Sequence, residues 1–296
     1  MAEILVGLTS TSVFTFDSTP PSAIPSASNL ALLGFEGGNE NAVSIDRRPI
    51  AGSPLTVLTV GQIDSDNTAT VGRLYDLDST TGLLTNARIV NASFNANVNY
   101  TIDFNPTGPV ALRIVGSDNS NYRVTDPNTG ATASDTALSG DGIPAVGIAY
   151  SNNDNDPQTG TVLYNIDRNG DRLSRIPTPN SGVTEQFANA LGIDLSSTGF
   201  QEIDISGSGI AYGVFQLQGP GQPSSRLYTL DLVTGLATPS AADNRFRIVN
   251  NTTTTPIVVR GIAAAPIVVP EGDTMALVLT GLTIGATLVR RRKISN

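Results

Sequence analysis

Short apolar runs broken by turn residues recur from one end of the chain to the other. In "GRLYDLDSTTG" and "SRLYTLDLVTG" apolar and polar residues alternate, the period-two pattern of a half-buried strand, and an Asp-x-x-Thr-Gly turn follows. In such a turn the Asp side chain accepts from backbone N–H groups two residues on, and Gly takes the positive φ. The same unit ends at Asp17, Asp78, Asp126, Asp167 and Asp231, spaced 61, 48, 41 and 64 residues apart. These aspartates read as turn residues. A second strand follows each turn, as in "LLTNARIV".

A second pattern lies upstream of each: "NAVSIDRRPIAGSPLTVLTVG", "NYTIDFNPTGPVALRIVGS", "AVGIAYSNNDNDPQTGTVLYNI" and "FQEIDISGSGIAYGVFQL". Each is a strand, a Pro/Gly turn and another apolar strand, giving about four strands per unit, the make-up of a propeller blade. The stretch "VVRGIAAAPIVV" matches the first half of a unit and "EILVGLTSTSVFTFD" the second half. Joined, they close a ring and leave no sheet edge open. The expectation is an all-β, five-bladed β-propeller, or a six-bladed one if "NALGIDLSSTGF" (189–200) forms a degenerate blade.

Composition agrees, with 29 Gly and 18 Pro, and only 15% charged and 5% aromatic residues. Neither Cys nor His occurs, which removes disulfides, thiol catalysis, Ser-His-Asp triads and ordinary zinc, copper or haem ligation. A net charge of −9 argues against nucleic acid as a partner.

The C-terminus breaks the pattern. Thr274 to Val289 is a run of sixteen uncharged residues, preceded by Glu271 and Asp273 and followed by Arg290, Arg291, Arg292 and Lys293. As a helix it would span roughly 24 Å, short of the ~30 Å hydrocarbon core, and a buried core element is the plainer alternative. The basic cluster at its end is the positive-inside arrangement. "VPEGDTMALVLTGLTIGATLVRRRK" resembles the PEP-CTERM sorting signal of Gram-negative bacteria, with Pro270-Glu271-Gly272 in place of the usual Pro-Glu-Pro. The resemblance implies a membrane-embedded, exosortase-like sorting protease as partner, cutting near Pro270 and Glu271, and a cell-surface or extracellular destination. On this reading 1–268 is the propeller and 269–296 is a sorting tail with an apolar helix, attached to the membrane before processing. Export also calls for a leader, and "MAEILVGLTS" is not one, so a leader is expected upstream of Met1.

The body resembles the bacterial domain of unknown function 4394 over most of residues 3 to 265. "GLTSTSVFTFD", "DFNPTGPVALRIVGSDNSNYRVTDPNTG", "LGIDLSSTGF" and "LYTLDLVTG" carry the likeness. It implies a propeller-like secreted domain and brings no catalytic residues.

Asp46, Asp103 and Asp204 occupy equivalent positions near the ends of first strands. If those strands line a central channel, they converge there with Asn105 as polar lining, alongside Arg47 and Arg48. Structural turn chemistry is the alternative. Asp154 and Asp156, and Asp167, Asn169 and Asp171, offer oxygen ligands at alternate positions for calcium, against a reading as solvated turns. No cofactor is otherwise called for, and no residue stands out as catalytic. The leading expectation is an exported, non-enzymatic module binding a glycan or surface protein. Alternatives are a polysaccharide hydrolase or lyase using channel carboxylates, and a self-associating surface-layer or filament subunit.

Overall fold

The computed structural model describes residues 3–265 apart from 20–22, 25–28, 51, 63–69, 108–110, 155, 157, 220–223, 241–248 and 251–256. The expected sorting tail, with Pro270, Glu271, Arg290, Arg291, Arg292 and the apolar helix, lies outside the described residues. Within them the chain is all-β, with one short 3₁₀ turn at Pro179–Ser181.

Five antiparallel sheets follow one another around an axis. From axis to rim, blade 1 is Gly261–Ala263, Ile4–Leu8, Ser12–Asp17 and Leu30–Ala31. Blade 2 is Gly38–Arg47, Leu55–Gln62, Thr70–Asp78 and Leu83–Val90. Blade 3 is Tyr100–Phe104, Leu112–Gly116, Asn121–Asp126 and Ala131–Ser134. Blade 4 is Ala145–Tyr150, Leu163–Asp167, Arg172–Thr178 and Val183–Gln186, with Ser139–Gly140 added in parallel at its rim. Blade 5 is Gln201–Ile205, Ala211–Gln216, Ser225–Leu230 and Ala237–Pro239. A separate parallel pair joins Ala23–Ile24 to Val249–Asn250. The stretch 189–200 is no sixth blade: its Leu191 and Leu195 are buried in the core shared with blade 5.

Ring closure follows the expectation from the two chain ends. Gly261–Ala263 pairs with Ile4–Leu8, setting Val6 opposite Ala263 and Leu8 opposite Gly261. The innermost strands of neighbouring blades touch all the way round, including blade 5 to blade 1 and blade 1 to blade 2. The strands Tyr100–Phe104, Ala145–Tyr150 and Gln201–Ile205 are therefore buried along their whole length, while a rim strand such as Ala131–Ser134 has no buried residue. This gradient explains why the outer strands read as alternating or polar, while the inner ones are buried on both faces, acids included.

Five apolar clusters fill the five gaps between blades. Leu5, Phe14 and Phe16 meet Tyr212, Val214 and Leu227 between blades 1 and 5, and Val43, Leu58 and Leu74 meet Ile102, Phe104 and Ile114 between blades 2 and 3. Each side chain of this size contributes on the order of 1.5–3 kcal/mol by leaving water.

The repeated aspartates are the turn residues their spacing predicts. Oδ1 of Asp17, Asp78, Asp126, Asp167 and Asp231 accepts from the backbone N–H two residues on, at 2.8 to 3.0 Å. Gly82, Gly130 and Gly235 close three of these turns at positive φ (76°, 76° and 81°). The blade 4 turn differs: there Asp171, at φ 47°, takes the left-handed position beside Gly170.

Candidate functional site

Each of the five inner strands carries the same three-residue frame around a buried isoleucine. The frames are Ser44-Ile45-Asp46, Thr101-Ile102-Asp103, Gly147-Ile148-Ala149, Glu202-Ile203-Asp204 and Gly261-Ile262-Ala263. Side chains two apart on a strand point the same way, so the outer members of each frame face together and the isoleucine faces away. The isoleucines enter the inter-blade clusters, and the flanking positions form two tiers.

In one tier Asp46, Asp103 and Asp204 come together, with carboxylate oxygens all within 4.8 Å of one another. Their exposures are 3%, 4% and 2%, which puts them out of reach of bulk solvent. Asp46 Oδ2 accepts from the Phe104 N–H of blade 3 at 2.7 Å. Asp103 Oδ1 accepts from the Tyr150 N–H of blade 4 at 3.2 Å, and Asp204 Oδ2 from the Ala264 N–H beyond the closing strand at 2.6 Å. Two further backbone donors, Arg47 N–H and Ile205 N–H, reach Asp46 and Asp204 at 2.6 Å each. Each aspartate thus ties its blade to the next around the ring.

The other tier belongs to Glu202. Its Oε1 accepts from Thr101 Oγ1 at 2.6 Å and from Ser44 Oγ at 3.2 Å, joining blade 5 to blades 3 and 2. The two hydroxyl oxygens in turn accept from Ile148 N–H at 3.2 Å and Ile102 N–H at 3.1 Å. Gly147 and Gly261 complete this tier because inner strands approach too closely for a side chain. A Cβ at Gly261 would lie 2.9 Å from Ile45 N and 3.0 Å from Ser44 Cα; at Gly147 it would lie 2.9 Å from Gln201 O.

Electrostatics follows from burial. None of these four acids forms an ion pair among the described residues. Burial pushes Asp46 up to about 7 against the pull of its two N–H donors. Asp103 and Asp204 are raised well above the ordinary carboxylate value, by burial first and then by the Asp46 charge. Burial raises Glu202 in the same direction, against the Thr101 and Ser44 hydrogen bonds. Carboxyls this close cannot all be ionised without compensation. The centre can share protons, and its three aspartates present the oxygen ligands that a hard cation takes.

Asn105 is grouped with these residues on sequence grounds. It follows the strand end, its Oδ1 accepts from Thr107 N–H at 3.0 Å, and it lines a cavity between blades 3 and 4. The residues weighed for calcium sit in turns. Asp154 Oδ1 accepts from Asp156 N–H and Asp156 Oδ1 from Gln158 N–H. Asp167 is buried, accepting from Asn169 N–H at 3.0 Å and from Gln186 Nε2 at 2.6 Å, while Asp171 Oδ1 accepts from Leu195 N–H at 2.9 Å. Among the described residues the acids near enough to share a cation are Asp46, Asp103 and Asp204.

Sequence reading missed Ser44, Thr101 and Glu202. The signal was present as Ser-Ile-Asp, Thr-Ile-Asp and Glu-Ile-Asp in equivalent strands, with Gly-Ile-Ala twice in the others. A second buried acid went unseen as well. Glu40 bonds Arg73 Nη1 and accepts from the Tyr75 hydroxyl at 2.7 Å, and that hydroxyl accepts from Glu36 N–H at 2.9 Å. Tyr75 therefore packs and also closes a polar network inside blade 2.

The fold and its axial ring define a five-bladed β-propeller. The chain belongs to the family described as domain of unknown function (DUF4394), whose model matches residues 12–251. Among solved structures it is similar to a protein from Lactobacillus plantarum, at 11% identity and TM-score 0.44, covering 89% of this chain and 99% of that one. It is also similar to puromycin hydrolase, at 16% identity and TM-score 0.34, covering 66% of this chain and 28% of the hydrolase. A comparison with curated proteins found no match.

Proposed function

We propose that this propeller is an exported, surface-associated binding and structural module. The observation that carries the non-catalytic part is the state of its axial acids. Asp46, Asp103, Asp204 and Glu202 are at most 4% exposed and are spent on ties from blade to blade. A hydrolytic pair of carboxylates must be reached by the glycosidic bond and by water. Here oxygens of the three aspartates stand within 4.8 Å of one another and are buried, so the axis serves as a clasp. Binding then falls to the mouths of the ring and the grooves between blades.

The export part rests on the resemblance of the tail to a sorting signal, with an exosortase-like protease as partner and the outer surface of a Gram-negative cell as destination. The full gene expressed in its native host, followed by fractionation and intact-mass measurement, tests it. Loss of the residues after about Pro270 with the body outside the cell is the expected result. An intact tail in a cytoplasmic protein overturns it. Turnover of extracellular polysaccharide that disappears in Asp103→Asn would instead support the hydrolase or lyase reading.

A further inference from the structure

An opening lies off the axis, between blades 3 and 4. It is a cavity of about 510 Å³, within the range of small-ligand pockets. Asn105, Ala111, Arg113, Arg123, Tyr150 and Asn180 are among its walls. The arrangement begins in the register of blade 3, which sets Arg113 directly opposite both Asp103 and Arg123. The axial acid and the two arginines thus form one row running outward from the ring.

Among the described residues, two guanidiniums line this cavity and no carboxylate does. Arg113 is buried, donating through Nη1 to Asn121 Oδ1 and Asp135 Oδ2 and through Nη2 to Asn180 Oδ1, at 2.7 to 2.9 Å. Its Nε has no partner among the described residues. Arg123, with its side chain one-third exposed (33%), spends Nε and Nη2 on Asp135. Among the described residues its Nη1 is uncommitted. The two wall amides show the same asymmetry. Asn105 Oδ1 is occupied by Thr107 and Asn180 Oδ1 by Arg113, while neither Nδ2 donates to a described residue. Burial keeps the Tyr150 phenol protonated, so it can donate too.

The uncommitted groups that reach these walls are donors, and one of them, Arg123 Nη1, sits on a cation. A ligand rich in acceptors satisfies them, and a carboxylate adds a charge-assisted hydrogen bond to the guanidinium. Pro177, Pro179 and Ala111 add flat apolar wall, and Thr125 and Thr178 add hydroxyls at the rim. Hydroxyl-bearing rings with a carboxylate fit that mixture. We infer that the cavity between blades 3 and 4 binds carboxylate-bearing saccharide units, such as uronic acids of an extracellular polymer. This rests on the reading of the chain as a binding module and names its ligand class.

The test is calorimetric titration of the full chain with a galacturonic acid trimer, alongside the methyl ester of the same trimer. The acid is expected to bind at least about tenfold more tightly than the ester, the effect of one charge-assisted hydrogen bond. Asn180→Asp keeps the oxygen that Arg113 needs and turns the free donor into a carboxylate, so it should abolish binding while the melting temperature holds. Arg123→Gln should weaken binding about tenfold. Should either variant fail to fold, Ala111→Glu, which places a like charge on the wall, is expected to block the acid. Equal affinity for acid and ester, or binding untouched by Asn180→Asp and Ala111→Glu, overturns the inference. So does no binding of either trimer by a protein that still adheres to its host's surface, which leaves the binding-module reading standing. A cytoplasmic location with intact acid binding sinks the export reading alone.

Discussion

Asp204 Oδ2 accepts the Ala264 N–H at 2.6 Å, so an acid on the last complete blade holds the strand that closes the ring. Sixty residues separate the two, and the bond is fully buried. Asp204→Ala leaves that N–H without an acceptor, at about 1–3 kcal/mol. Asp204→Asn keeps an acceptor oxygen and should cost less than half as much. Urea midpoints of the two variants check this. Equal losses would mean that the hydrogen bond is not what the aspartate supplies.

Glu202 is expected to tolerate loss of charge but not loss of its oxygen. Glu202→Gln keeps an acceptor for Thr101 and Ser44 and removes a buried acid, so stability should stay within about 1 kcal/mol of the parent. Glu202→Ala strips the acceptor from both hydroxyls and opens a void in the tier, at about 3 kcal/mol or more. Thermal and urea unfolding of both variants decide it; a Gln variant as unstable as the Ala variant would show that the ionised carboxylate is required.

The pH dependence has a definite sign. Asp46, Asp103, Asp204 and Glu202 are all raised in the folded state, so between the ordinary carboxylate value and the folded value the native protein holds more protons than the unfolded chain. Stability must then fall as pH rises. Asp46 contributes this loss from about 4 up to its folded value of about 7, by at most about 1.4 kcal/mol per pH unit. Unfolding measured at steps from pH 4 to 8, in chelator so that no cation substitutes for protons, should show the decline, and Asp46→Asn should flatten it. Rising stability across that range would refute the protonated centre.

Inside blade 2 the Glu40–Arg73 pair is buried, with side chains 0% and 7% exposed. Arg73→Ala strands a carboxylate and should cost about 3–5 kcal/mol, whereas removing both charges in Glu40→Gln/Arg73→Met should recover most of that. A double-mutant cycle on unfolding free energies gives the answer, and additive losses would contradict the pairing.

Much of this architecture is written in local chemistry. Apolar alternation ending in Asp-x-x-Thr-Gly dictates strand and turn, because strand periodicity and Asx-type hydrogen bonds act within a few residues. Repetition of that unit gave the blades, and the two half-units at the ends gave the closure of Ile4–Leu8 on Gly261–Ala263. The convergence of Asp46, Asp103 and Asp204 could be anticipated from their equivalent places, but the role of Glu202 could not. A glutamate meets Ser44 and Thr101 only because Gly147 and Gly261 let the inner strands close up around the axis, and those residues lie on four other blades. The cavity between blades 3 and 4 was less legible still. Arg113, Arg123 and Asn180 are ordinary polar residues in sequence; which of their donors are spent and which are left over depends on partners 8 to 67 residues away from Arg113 or Arg123. Local periodicity determined the elements and their order, whereas only packing around the axis decided which acids lose their water and which donors still lack an acceptor.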